Sequence, residues 1–168
     1  VNILVNCSNL KNGGGLQVGD SFCCYLGLRK EHHFVVVLSS AMGATAEKIK
    51  KFDNVELVRH NTCNDWRTLL LGRDFDFDRI VSERGVNAVL TVFGPSLWIP
   101  RVPHLSGFAS GQLTPLDSPF YKMKLPLKFR FHEFLRNSML RMYYGRCSSF
   151  LWTENESVSA ALRRMYPA

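Results

Sequence analysis

No window of the chain approaches the roughly 18 consecutive apolar residues that a membrane-crossing helix needs, and no basic region followed by a long apolar stretch opens it. A secreted or integral membrane protein is therefore not expected; the expectation is a cytoplasmic protein, with peripheral attachment to the inner face of a membrane left open. Cys-x-x-Cys pairs and cysteine–histidine sets at zinc-ligand spacing are missing as well, so no metal is expected. The cysteines are odd in number (Cys7, Cys23, Cys24, Cys63 and Cys147) and read as reduced, mostly buried thiols. Proline and glycine, at 7 and 12 of 168 residues, are too sparse for disorder. Internal repeats and low-complexity tracts are lacking.

What is present suits one domain with a genuine core: 46% apolar and 21% charged residues. Short β-branched runs alternate with longer helical ones. Strands are expected at 2–7, 33–40, 55–60, 87–94, 103–109 and 148–154. Helices are expected over 16–30, 45–52, 65–85 with a break near Gly72 and a stop at Gly85, 127–144, and 156–167 with a stop at Pro167. The unalternating "VVVL" of the second strand suits a parallel sheet covered on both faces. The alternation as a whole predicts an α/β fold: a Rossmann-like, doubly wound, mostly parallel sheet flanked by helices.

In such sheets ligands bind beyond the carboxyl ends of the strands. The stretch "NCSNLKNGGGLQ", Asn6 to Gln17, follows the first strand and precedes the first helix. It allows three readings: a phosphate cradle, a wall for another ligand, or a plain turn. Its spacing departs from both G-x-G-x-x-G and G-x-x-x-x-G-K-[ST], and the second strand ends in Leu38-Ser39-Ser40 without an acid, which disfavours nicotinamide and ATP sites of the familiar kinds.

Gly94-Pro95-Ser96, after the fourth strand, reads equally as cleft wall or turn. His104 stands at the start of the fifth strand, away from the cleft, and reads as a packed or surface residue. Ser110, Gly111 and Gln112 stand at the ligand-binding end, whereas no Ser/His/Asp set is legible. The net charge is +7, and it is local: between Tyr121 and Arg146 seven basic residues face one acid, Glu133. On the expected helix Lys128, Arg136 and Arg141 flank Leu127, Phe131, Phe134, Leu135 and Met142, and Lys122, Lys124 and Arg130 belong to the same candidate anionic-surface segment. This segment reads either as a helix packed on the sheet with a solvated rim, or as one that meets an anionic membrane surface or acceptor.

The segments "NILVNCSNLKNGGGLQV", "NAVLTVFGPS", "IPRVPHLSGFASGQ" and "SSFLWTENESVSAALRRMYP" together resemble the amino-terminal half of retaining GT-B glycosyltransferases, the large group called family 4 or group 1. The resemblance implies two facing Rossmann-like domains, the first holding the acceptor and the second the nucleotide-diphosphate-sugar donor, with no further cofactor. It implies that Gly13, Gly14 and Gly15 lie near the donor phosphates, with Gln17 as a side-chain contact; Gly94, Ser96, Ser110 and Gln112, at the carboxyl ends of their strands, are the candidates for the acceptor or cleft wall. Many members carry a histidine where this chain has Ala109 or Ser110. The paired glutamates of the second domain have no counterpart here, so residues 1–168 are expected to be a single acceptor-side domain that is inactive alone, its catalytic residues unassigned and its carboxyl-terminal domain a partner. The expected substrates are a nucleotide sugar and a glycan or lipid-linked acceptor. A non-enzymatic α/β module binding an anionic partner through the basic helix is the alternative; nucleic acid is not expected, because aromatic residues do not interleave with the basic ones.

Overall fold

The computed structural model describes residues 1–60, 66–109 and 127–166. Its six strands form one all-parallel sheet: β1 (Asn2–Cys7), β2 (His33–Leu38), β3 (Val55–Val58), β4 (Ala88–Thr91), β5 (His104–Gly107) and β6 (Phe150–Trp152), in spatial order β3-β2-β1-β4-β5-β6. The order reverses between β1 and β4, the arrangement of a doubly wound fold. The α/β, Rossmann-like architecture expected from the alternation is the architecture observed.

The helices are α1 (Gly14–Leu26), α2 (Gly43–Ile49), α3 (Trp66–Leu71), α4 (Phe75–Glu83), α5 (Leu127–Cys147) and α6 (Glu156–Met165), with a 3-10 turn at Ser40–Met42 before α2. The expected break at Gly72 separates α3 from α4, and Gly85 ends α4; both glycines have positive φ, 65° and 54°, conformations that side chains resist.

Alternate residues of the central strands feed opposite layers. Val5, Cys7, Phe34 and Val36 pack with Cys23 and Leu26 of α1 and Ile49 of α2. Leu4, Val35, Val37 and Val89 pack with Phe77 and Ile80 of α4 and with Trp98. Val35, Val36 and Val37 are wholly buried, each contributing about 1.5–3 kcal/mol. Cys7, Cys23 and Cys147 are buried free thiols and Cys24 is half-buried. The hydrogen bond with Cys23, and then burial, hold the Cys7 thiol far above its ordinary range, while burial pushes Cys147 up to about 11.

The first helix begins two residues before its expected start, inside the glycine triplet. Gly13 is its N-cap, with φ 68° and ψ −157°, a combination open essentially to glycine alone. It ends at Leu26, four residues before Lys30, and a Cβ at Gly27 would meet the Phe52 ring at 2.8 Å. Asp20 ties α1 to α2 through Thr45 Oγ1 at 2.7 Å and Lys48 Nζ at 2.8 Å, which fixes the direction of the amino-terminal end of α1.

Helix α5 buries Tyr143, Tyr144 and Cys147, near its carboxyl end. The apolar residues expected on its packing stripe are not in the core: Phe131 and Phe134 are 63% and 67% exposed, and Leu135 and Met142 are exposed too. No helix among the described residues is long and apolar enough to cross a membrane.

His104 is buried between strands and helix. Its Nδ1–H donates to the Cys147 carbonyl, which can only accept, so Nε2 accepts from Thr91 Oγ1 at 2.8 Å. Burial, partly opposed by the Cys147 bond, lowers its pKa below the ordinary imidazole value. The unfolded chain therefore takes up a proton below about pH 6.5 that the native state refuses, so stability holds above that pH and declines below it. Urea midpoints should fall between about pH 7 and about pH 5 in the native protein, and His104→Gln should flatten that decline. An equally steep decline in the variant would exclude His104 as its source.

Candidate functional site

The loops after β1 and β4 leave the sheet on either side of the reversal in strand order, and they are bonded to each other. Asn6 Oδ1 accepts from the Ser8 amide at 3.0 Å and from Ser8 Oγ at 2.7 Å, an Asx turn that bends the chain sharply after β1. Asn9 Nδ2 donates to the Phe93 carbonyl across the gap. Leu10 folds back over α1 because residue 19 is glycine: a Cβ there would lie 2.5 Å from Leu10 Cδ1. On the far side Tyr144 Oη donates to the Gly94 carbonyl, and Phe93 stacks on Trp152 with ring centroids 5.9 Å apart.

A cavity of about 680 Å³ lies in this crevice, with Gly14, Gly15 and Gln17 on one wall, Phe93 and Gly94 on the other, and Lys11 and Glu154 at its margins. The amino-terminal end of α1 has no side-chain cap and no acid in its first turn, which leaves its positive dipole end for an anion. Lys11 is exposed and makes no ion pair among the described residues.

Four of the sequence-derived candidates thus share one cavity: Gly14, Gly15, Gln17 and Gly94. Gly13 shapes the turn as the N-cap. Ser96 lies in an adjoining cavity of about 320 Å³ with Ser8, Thr68 and Asp74, and donates to the Trp98 carbonyl at 3.0 Å. Its neighbour Leu97 has φ 57°, an uncommon conformation for leucine. Ser110, Gln112, Lys122 and Lys124 lie outside the described residues, as does the Arg130 side chain. Lys128, Arg136 and Arg141 stand on α5, apart from the crevice.

Lys11, Asn9, Phe93 and Glu154 join the site without having been singled out by spacing. Lys11 sits within the glycine-loop stretch itself, and Glu154 within the last segment of the resemblance, so position in those segments was the available signal.

A third cavity, of about 550 Å³, opens at the ends of β1, β2 and β3 and is lined by Ser8, Lys11, Ser39, Ser40 and His60. His60 is fully buried at its side chain and its Nε2 lies 3.1 Å from both Asp74 carboxylate oxygens. Asp74 also caps α4, accepting from the Asp76 and Phe77 amides. Burial raises the Asp74 pKa, but the His60 bond and the two amides outweigh it and hold the carboxyl below its usual range.

Among the described residues no group of three or more His, Cys, Asp or Glu is placed to hold a metal ion. The crevice supplies the free backbone amides of α1 and the Lys11 ammonium, groups suited to holding an anionic ligand, with the Glu154 carboxylate at the same cavity opposing negative charge. Comparison with protein-family models, curated proteins and solved structures gave no match.

Proposed function

We propose that this chain is the acceptor-side domain of a glycosyltransferase that moves a sugar from a nucleotide-diphosphate sugar to a glycan or lipid-linked acceptor. The observation that carries the reading is the crevice at the strand-order reversal, where the uncapped end of α1 at Gly14–Gly15 faces the Phe93–Gly94 loop across about 680 Å³ with Lys11 beside it. Backbone amides and a lysine aimed at a diphosphate stabilise the charge that develops as it leaves. The donor's remaining contacts come from a second domain, as in the family that the sequence resembles.

The direct test is transfer by the full-length protein across a panel of nucleotide sugars, read by mass spectrometry of products and by release of nucleoside diphosphate. Transfer or hydrolysis with at least one donor is the expected outcome. Inertness toward every donor, together with salt-dependent nucleic-acid binding through α5, would favour the non-enzymatic module instead.

The exposed Phe131, Phe134, Met139 and Met142 of α5, set among Lys128, Arg141 and Arg146, favour seating of this helix on an anionic membrane surface. Each basic group near such a surface contributes about 1 kcal/mol, and the apolar side chains add interfacial burial. The protein should co-sediment with vesicles containing anionic lipid and not with neutral vesicles. Equal behaviour on both would remove the membrane from its partners.

A further inference from the structure

The two walls of the crevice at the strand-order reversal differ in sign. On the α1 side the free amides at Gly14 and Gly15 and the Lys11 ammonium draw negative charge. On the opposite side Phe93, Gly94 and Ala109 bring no polar side chain, and Glu154 supplies that wall's carboxylate. Glu154 is exposed, and among the described residues it makes no ion pair or hydrogen bond.

Its place in the wall is set by its neighbours. Trp152 stacks on Phe93, Thr153 Oγ1 donates to the Asn155 carbonyl at 3.2 Å, and Asn155 Oδ1 accepts from the Ser157 amide at 2.8 Å to cap α6. The backbone carrying Glu154 is thus held on both sides before any ligand arrives, which lowers the cost of ordering on binding.

A diphosphate alone gains nothing from this carboxylate. The α1 amides and Lys11 attract it, and Glu154 repels it. Because those amides and Lys11 already meet the diphosphate charge, Glu154 is not needed to recruit a cation for it. A carboxylate accepts hydrogen bonds and donates none, and its two oxygens can take protons from two adjacent hydroxyl groups. A ligand that carries hydroxyl groups next to its diphosphate satisfies both walls at once.

We propose that Glu154 is the residue of the crevice that reads the sugar. Its carboxylate accepts from hydroxyl groups of the sugar carried on the diphosphate, so the site prefers the nucleotide sugar to the nucleoside diphosphate left after transfer. The inference rests on the glycosyltransferase reading above and adds to it the group that separates substrate from product. Glu154 acts here as a specificity residue and takes no part in bond breaking.

Isothermal titration calorimetry of the full-length protein and its Glu154→Gln variant, in EDTA and again in Mg²⁺, provides the test. The probes are UDP-glucose, GDP-mannose and dTDP-rhamnose, each beside its own nucleoside diphosphate. For at least one pair the substitution should weaken the nucleotide sugar about three- to thirtyfold. The matching diphosphate should bind about two- to fivefold more tightly at low ionic strength. Opposite signs are the signature, because damage to the fold would weaken both ligands, and an unchanged melting temperature gives a second control. Equal weakening of both in EDTA would move the carboxylate to the nucleoside and overturn the proposal. Tightening of both would leave Glu154 with repulsion alone, weakening of both confined to Mg²⁺ would make it a cation ligand, and no change in either would place it outside the site; each of these overturns the proposal too. The readout needs neither acceptor nor turnover. Opposite signs without transfer would sink the enzymatic reading alone, transfer without opposite signs would sink the role of Glu154 alone, and failure of every probe to bind would sink both.

Discussion

Gly14→Val should leave the protein folded and remove its transfer activity. A Cβ built at Gly14 meets nothing within 4 Å, and positive φ in the triplet is confined to Gly13. Valine therefore enters α1 without strain, and because valine is no worse a helix former than glycine, stability should change by less than about 1 kcal/mol. Its methyl groups nonetheless project into the crevice, where a ligand phosphate would approach the α1 amides. Blocking the approach to those amides forfeits stabilisation of the kind whose removal, for a single hydrogen-bond donor, costs about 10²–10³-fold in turnover, so initial rates of the full-length variant with its preferred donor should fall about that far. Gly13→Ala gives the converse: its φ and ψ lie where side chains cost about 1–3 kcal/mol, so its defect should appear in the melting temperature. Full transfer by Gly14→Val would remove the glycine loop from the mechanism.

Gly107→Ala should fail to reach a stable native state. The chain after β4 and the end of β5 approach so closely here that Gly94 N donates to Gly107 O at 2.8 Å. A Cβ at residue 107 would lie 1.9 Å from the Val92 carbonyl oxygen and 2.9 Å from Trp152 Nε1. The first obstacle is backbone, one residue past the end of β4, and cannot turn aside as a side-chain tip can. The expected cost is about 3 kcal/mol or more, a large part of the roughly 5–15 kcal/mol that holds a domain together. Urea unfolding would measure it, or the variant would be recovered insoluble. A shift below about 1 kcal/mol would mean that β4 and β5 separate far more easily than their packing indicates.

Periodicity carried most of the fold. The unalternating Val35–Val37 run became a strand buried on both faces, and Gly72 and Gly85 punctuated the third and fourth helices where their sequence context placed them. Two elements were legible only in outline. The start of α1 was obscured because glycine lowers helix propensity, yet Gly14 and Gly15 occupy its first turn, where amides lack intrahelical partners in any case. The apolar stripe of α5 had the spacing of a packing face, but burial depends on where the helix docks, and Tyr143, Tyr144 and Cys147 make the contact.

The site was less legible because it is assembled by topology. Gly94 reaches the glycine loop only because β4 pairs with β1, and no local pattern announces that. Ser96 follows Gly94 by two residues yet lines an adjoining cavity, its hydroxyl committed to the Trp98 carbonyl. The His60–Asp74 pair joins the end of β3 to the cap of α4 across 14 residues. Neither residue belongs to a recognisable motif, so only the folded geometry brings out the pair.

The central position of β1 has a consequence for synthesis. Ile3 pairs with Ala88, so this strand leaves the ribosome well before one of its two neighbours. At about 5–20 residues per second, the 85 positions separating that pair correspond to a wait of roughly 4–17 s. Meanwhile "NILVNC" and "HFVVVL" expose β-forming edges to other nascent chains. Chaperone occupancy should therefore peak before residue 88 is translated and drop once β4 closes the middle of the sheet, a pattern that ribosome profiling of chaperone-bound nascent chains would reveal.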